Sequence, residues 1–278
     1  MTRQLLKTTT GIAASDGDGV QLTRIIGSSE IDMVDPFLLL DKFESDKADD
    51  YIGGFPDHPH RGFETVTYLL SGKMRHKDNA GHEGVIEPGG VQWMTAGRGI
   101  IHSEMPEQEN GLLRGFQLWV NLPASHKMTE PAYQEFSADA IPVEVLASGG
   151  QVKVISGKTD GGVTGPVKGV LTTPVYFDVD LPANTEFEQY LPDSYNGFVF
   201  VIEGNLHVGS DGDLLEEGKL GVLGDGCSVK VSTGDVPGRF LLIAGQSLNE
   251  PVARGGPFVM NSRQEVLQAF DDFHKGQF

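Results

Sequence analysis

Three of the chain's eight histidines fall, together with carboxylates, in two short segments: GFPDHPHRGFETVTYLLSG (54–72) and PGGVQWMTAGRGIIHSEMP (88–106). Each segment holds a pair of metal-competent residues two apart, His58 with His60 and His102 with Glu104. Residues two apart on an extended strand point to the same face, so each pair can aim both donors at one place. Taken alone, the HPH pair is equally well explained as two solvated histidines beside a turn. A second pair of the same spacing, beside glycine-rich turns in the same β-rich stretch, makes one shared ion the better explanation. Glu64 follows His60 by four residues and has the same parity. Spacing therefore leaves open whether Glu64 or Glu104 is the carboxylate ligand, and the other could support an imidazole from behind.

Three imidazoles and one carboxylate fill four positions, leaving one or two open on a five- or six-coordinate ion such as Fe(II), Mn(II) or Ni(II). Open positions imply chemistry rather than scaffolding. The expected cofactor is one divalent transition metal, Fe(II) foremost, with Mn, Co, Ni, Cu and Zn also compatible with the donors. A closed structural zinc site usually draws on cysteine, and Cys227 is the only one present. His76, His82, His126, His207 and His274 are expected at surface strand and turn positions. Phe55, Trp93, Met94 and Met105 lie close to the ligands in sequence, where they could line an apolar pocket or simply pack.

Positioning two such pairs requires β-structure, and the pattern supplies it. Apolar residues come in short runs separated by turns rich in the 37 glycines and 15 prolines, with no long 3.6-residue periodicity. Strands are expected at 19–26, 36–43, 64–70, 73–78 and 113–121, with a tight turn at Ser71-Gly72. A second series runs from Val175 to Gly245 and includes 198–202, a turn at Glu203-Gly204, and 205–208. In both halves a β run meets a glycine turn (Gly72, Gly204), resumes, and reaches an acidic-glycine turn (Glu87 to Gly90, Glu216 to Gly218), which suggests a duplicated barrel. The expected division is a metal-binding barrel over 1–125, a connecting segment over 126–165, and a metal-free barrel with a terminal helix over 166–278. That helix, Ser262 to Lys275, opens with a capping box of Ser262 and Glu265, and Val266, Leu267, Phe270 and Phe273 are expected on one apolar face.

Composition narrows the function classes. A formal net charge of −18 repels a phosphate backbone, and no Lys/Arg stripe opposes it, so direct nucleic-acid binding is not expected. One cysteine excludes a disulfide within the chain and paired-thiol redox chemistry. No run approaches membrane-spanning length and the N-terminal residues lack an apolar signal core, so a cytoplasmic, monomeric protein with no membrane partner is expected.

The segment GGFPDHPHRGFETVTYLLSG resembles the first cupin motif in the form found in the pirin family, and PGGVQWMTAGRGIIHSEMP resembles the second. The likeness extends to DPFLLLDKF (35–43), QLWVNLP (117–123) and EPVARGGPFVMNS (250–262). It implies an all-β bicupin, two face-to-face antiparallel barrels of jelly-roll type. It also implies that iron or a similar ion is held by His58, His60, His102 and Glu104, which leaves Glu64 as a supporting residue. Several pirin-like proteins are quercetin 2,3-dioxygenases, so the resemblance implies cleavage of a flavonol with O2 and release of carbon monoxide. Glu104, or Glu64 behind it, would take the substrate's hydroxyl proton. The competing reading is a regulatory protein whose metal site senses redox state or a ligand while its surface docks on a protein partner. A different cupin activity, such as an isomerase or another ring-cleaving dioxygenase, is the third.

Overall fold

The computed structural model describes all 278 residues, and its strands form two compact units with the same plan. Each unit pairs a seven-stranded sheet with a four-stranded sheet, and every strand ladder is antiparallel. In the first unit the large sheet runs in the order 132–136, 91–95, 63–71, 113–121, 37–45, 20–26, 12–16. The small sheet runs 55–60, 100–106, 74–78, 83–86. The second unit has 5–9, 220–223, 195–203, 238–246, 175–181, 151–156, 143–145 opposite 186–190, 228–233, 206–208, 213–215. The echo between the sequence halves is thus a repeated double-sheet architecture, the cupin type of barrel.

Alternation explains why these segments become strands. In Ile100–Pro106 the buried residues are Ile100, His102 and Glu104, and in Met74–Asp78 they are Met74, His76 and Asp78. Both strands therefore turn a mixed apolar and polar face inward. Gly72 and Gly204 stand at positive φ, 83° and 78°, which the tight turns between successive strands require. Leu22, Phe43, Tyr51, Leu69, Met74, Ile86 and Leu113 form a core in the first unit. Phe177, Val199, Val201, Phe187, Phe240 and their neighbours do so in the second.

The termini depart from the expected division. Strand Leu5–Thr9 pairs with Leu220–Leu223, so residues 1–11 belong to the second unit. Residues 248–278, including the helix, belong to the first. The physical reason is edge protection: an unpaired strand edge exposes backbone donors and acceptors, and a strand remote in sequence covers it as well as a local one. In the tail, the hairpin of Ala253–Gly255 and Phe258–Met260 is tied down by the bond from Val259 N to Arg61 O, 3.0 Å. Val259 packs with Leu38 and Phe63.

The helix spans Arg263–His274, capped as expected. Ser262 accepts from Glu265 N, and the Glu265 carboxylate accepts from Ser262 N. Its apolar face differs in one residue: Val266 and Ala269 are buried and Phe270 and Phe273 meet the Phe258 ring, but Leu267 is 59 % exposed. No helix is long and apolar enough to cross a membrane.

Candidate metal centre

Antiparallel pairing of Phe55–His60 with Ile100–Pro106 places His102 opposite His58 and Ile100 opposite His60. The three imidazoles converge, with ring centroids 4.7 Å (His58 and His60), 4.4 Å (His58 and His102) and 5.1 Å (His60 and His102) apart. Their ligand nitrogens lie within 4.8 Å of one another.

The other hydrogen bonds of these rings fix what the convergent nitrogens can be. His58 Nδ1 lies 2.8 Å from the Pro56 carbonyl and His60 Nδ1 3.4 Å from the Pro257 carbonyl. A carbonyl only accepts, so each Nδ1 carries the hydrogen, and in the neutral ring each Nε2 then presents a bare lone pair. Those two Nε2 atoms stand 3.0 Å apart. With no hydrogen between them the contact is repulsive, unless a cation shares both lone pairs. Two nitrogens at about 2.1 Å from one ion and about 90° apart are separated by about 3.0 Å, so the spacing fits adjacent positions of an octahedral centre. Both ring nitrogens of His102 are buried without a protein partner, a further vacancy that an ion satisfies on one side. Burial, reinforced by the neighbouring imidazoles, holds His60 and His102 well below the usual histidine range. They are therefore neutral near pH 7, the form that binds metal.

Glu104 is buried and fixed by side chains that sequence spacing did not single out. Gln117 Nε2 donates to its Oε2 at 2.9 Å, and the Thr67 hydroxyl lies 2.8 Å from its Oε1. The same hydroxyl lies 2.6 Å from Gln117 Oε1, so its single proton serves one acceptor at a time. Thr67 and Gln117 face each other across neighbouring strands. Their only sequence signal is a polar residue at an inward position of an otherwise apolar strand.

Glu64 is placed differently from the expectation that it supports an imidazole. It lies three residues before Thr67 on one strand, hence on the opposite sheet face, where its Oε1 accepts from Thr95 at 2.7 Å and its Oε2 has no hydrogen-bond partner. Burial pushes its pKa up to about 7.

His76 also departs from expectation. It is not a surface residue: its inward position buries it, and its Nε2 meets Glu135 Oε2 at 2.9 Å. Arg75 and Lys77 flank it at the outward parity and disguise it. His82, His126, His207 and His274 are exposed, as expected.

His58, His60 and Glu104 line one cavity of about 590 Å³. Its apolar wall comes from Leu22, Leu39, Phe43, Phe55 and Trp119, the last with its ring 5.2 Å from His60. Of the four residues expected as pocket lining only Phe55 reaches it; Trp93 and Met94 are buried in the core. The tail closes the other side through Arg254, Gly256 and Pro257. Behind the HPH pair, Lys127 anchors that tail by donating to Gly62 O, Asn121 Oδ1 and Val259 O at 2.8, 2.8 and 2.9 Å. Arg61 is held by Asp272 at 2.6 Å and by the Arg98 carbonyl.

Comparison with known proteins agrees with this arrangement along the whole chain. The Pirin family model matches residues 19–120, and that of the Pirin C-terminal cupin domain matches 176–278. A pirin-like protein of Caulobacter vibrioides is 56 % identical over 277 residues, 99 % of each chain. Human pirin is 45 % identical over 95 % of this chain and 89 % of its own. A crystal structure of a quercetin 2,3-dioxygenase from Acinetobacter baumannii superposes with a TM-score of 0.90 at 33 % identity, covering 100 % of this chain and 99 % of that one. Two repeated cupin barrels, with a histidine triad converging in the first, accord with these likenesses, and the chain belongs to the pirin family.

Proposed function

We propose that this protein is a metal-dependent dioxygenase that cleaves quercetin or a related flavonol with O2 and releases carbon monoxide. The observation that carries the reading is the pair of Nε2 atoms 3.0 Å apart, beside a cavity with one apolar wall and room for a three-ring ligand. The likeness to the Acinetobacter quercetin 2,3-dioxygenase supports the substrate class.

In this reading His58, His60, His102 and Glu104 hold one divalent ion, Fe(II) foremost. When bound, the ion supplies Lewis acidity that favours the ionised 3-hydroxyl of a flavonol, together with open positions for exchange. The protein does the rest. Pro56 and Pro257 carbonyls fix the tautomers of His58 and His60, so that both present Nε2. Gln117 restrains Glu104 through Oε2, and rotation of the Thr67 hydroxyl towards Gln117 frees Oε1 to take the hydroxyl proton. Phe43, Phe55 and Trp119 offer flat apolar surface to the rings.

Iron-loaded protein is expected to consume O2 and evolve CO in equal amounts with quercetin, much faster than the same concentration of free iron. Turnover no faster than free iron would remove the enzymatic reading and leave a metal-sensing protein that docks on a partner.

A further inference from the structure

The charged groups in the walls of the same cavity are unequally matched. Arg24 is neutralised by two carboxylates: its Nε and Nη2 meet the two oxygens of Asp41 at 3.0 and 2.7 Å, and Nη2 also reaches Asp16 at 2.8 Å. Arg254 is not. Its Nη2 donates to the Asp32 backbone carbonyl at 3.2 Å, and its Nη1 stands 3.7 Å from Asp32 Oδ1, beyond a hydrogen bond. Asp32 itself is 86 % exposed, so solvent screens that attraction. Burial lowers the Arg254 pKa despite Asp32, the mark of a cation short of compensation. A guanidinium has five N–H groups, and most of these stay available.

Position adds to charge. Arg254 and Pro257 belong to one hairpin, and the Pro257 carbonyl touches His60. Three residues of chain separate the backbones by at most about 10 Å, roughly the length of a fused ring system. Phe43, Phe55 and Trp119 line the same cavity, Trp119 beside His60. Once a divalent ion sits on the histidines, it and the two guanidiniums outweigh the carboxylates of Asp16, Asp41 and Glu104 by one charge. The cavity is then locally cationic on a chain whose net charge is −18.

We infer that the preferred substrate is an aromatic acid, with chelating oxygens at one end for the metal and a carboxylate at the other for Arg254. This deepens the dioxygenase reading and rests on it for the chelating end. Arg254 is the specificity-determining residue, and its planar fork suits bidentate capture of a carboxylate.

The test is anaerobic optical titration of the Zn(II)-loaded full chain with 3-hydroxyflavone and with its carboxylate on the outer phenyl ring, at low salt. Chelation shifts the flavonol absorption band and reports binding without turnover. The wild type is expected to bind the carboxylate about tenfold more tightly than the uncharged flavonol, the scale of one partly exposed charge-assisted pair. Arg254→Gln is expected to bring the ratio to about one, the loss falling mainly on the carboxylate. Asp32→Asn, which removes the carboxylate 3.7 Å from Arg254 but keeps the backbone carbonyl that it donates to, should raise the ratio. Equal affinities in the wild type, or a preference that survives Arg254→Gln, overturns the inference. O2 uptake by the iron-loaded protein is scored separately. Discriminating binding without uptake sinks the dioxygenase reading alone, and uptake with equal affinities sinks the carboxylate alone.

Discussion

His58 and His60 each commit Nδ1 to a backbone carbonyl, so neither, as a neutral imidazole, can relieve the 3.0 Å contact of their Nε2 atoms by becoming its donor. If one cation is the relief, His58→Ala and Glu104→Ala should abolish stoichiometric metal, while Glu64→Ala retains most of it; elemental analysis of freshly isolated protein decides. The reverse result for the two glutamates would reassign the carboxylate. Glu64 makes a separate prediction about stability. Its pKa is raised by burial from 4.5 to about 7. The folded state therefore holds the proton more tightly than the unfolded one, and the stability this confers is complete below pH 4.5 and lost as pH rises through 7. A gap of this size corresponds to roughly 3 kcal/mol. Denaturant unfolding of wild type and Glu64→Gln between pH 4 and 8 should show the wild type losing that much relative to the variant; parallel curves would show that Glu64 stays ionised throughout. The convergence of His58, His60 and His102 was legible because spacing and strand parity act over two or three residues. Thr67 and Gln117 were not, since threonine and glutamine are ordinary in strands and only the fold brings them 2.6 Å apart. His76 was misplaced for the converse reason, its charged neighbours lying on the other strand face.

At the level of elements, the link between strand Phe55–His60 and strand Phe63–Ser71 holds a glycine with no substitute. Gly62 has φ +90°, and a Cβ there would stand 2.0 Å from the Val259 carbonyl, the same oxygen that Lys127 holds. Gly62→Ala should therefore cost more than the about 1–2 kcal/mol of a left-handed alanine. It should also weaken metal binding about tenfold or more, by shifting the hairpin that carries Pro257. Gly81, at φ +93° with nothing near its absent side chain, is the control. Gly81→Ala should show the conformational cost and keep the metal, as calorimetry and metal titration would read. Strand existence was legible where glycine turns punctuate apolar runs, but not within 126–165, which was expected to be a connecting segment and holds the strands Ala132–Phe136, Val143–Val145 and Gln151–Ser156. Boundaries were off by a residue or two, as at 36–43 against Phe37–Ser45, because the last ladder bonds depend on partner strands that local pattern does not reveal.

On the scale of the whole chain, the repeated plan was visible in its echoing turns, but ownership of the termini was not. Leu5–Thr9, with only two apolar residues in five, was not among the expected strands, and its neighbour is more than 200 residues away. The exchange predicts opposite effects for two truncations. Removing residues 1–11 should lower thermal stability through the bared edge at Leu220–Leu223, with metal content kept. Removing residues 248–278 deletes Pro257, the Val259 acceptor of Lys127 and the Asp272 partner of Arg61, and should lose the metal. Equal metal content in the two proteins would show that the tail is dispensable to the centre.

That tail bears on biosynthesis as well. The histidines leave the ribosome early, yet the carbonyl that orients His60 follows it by 197 residues. A nascent chain therefore carries the imidazoles through most of that span without the part that sets their geometry, so tight capture of an ion should wait for the hairpin of 253–260. Comparing radiometal retained by chains arrested at residue 247 with that retained by chains carried through residue 278 would show whether loading waits for that hairpin.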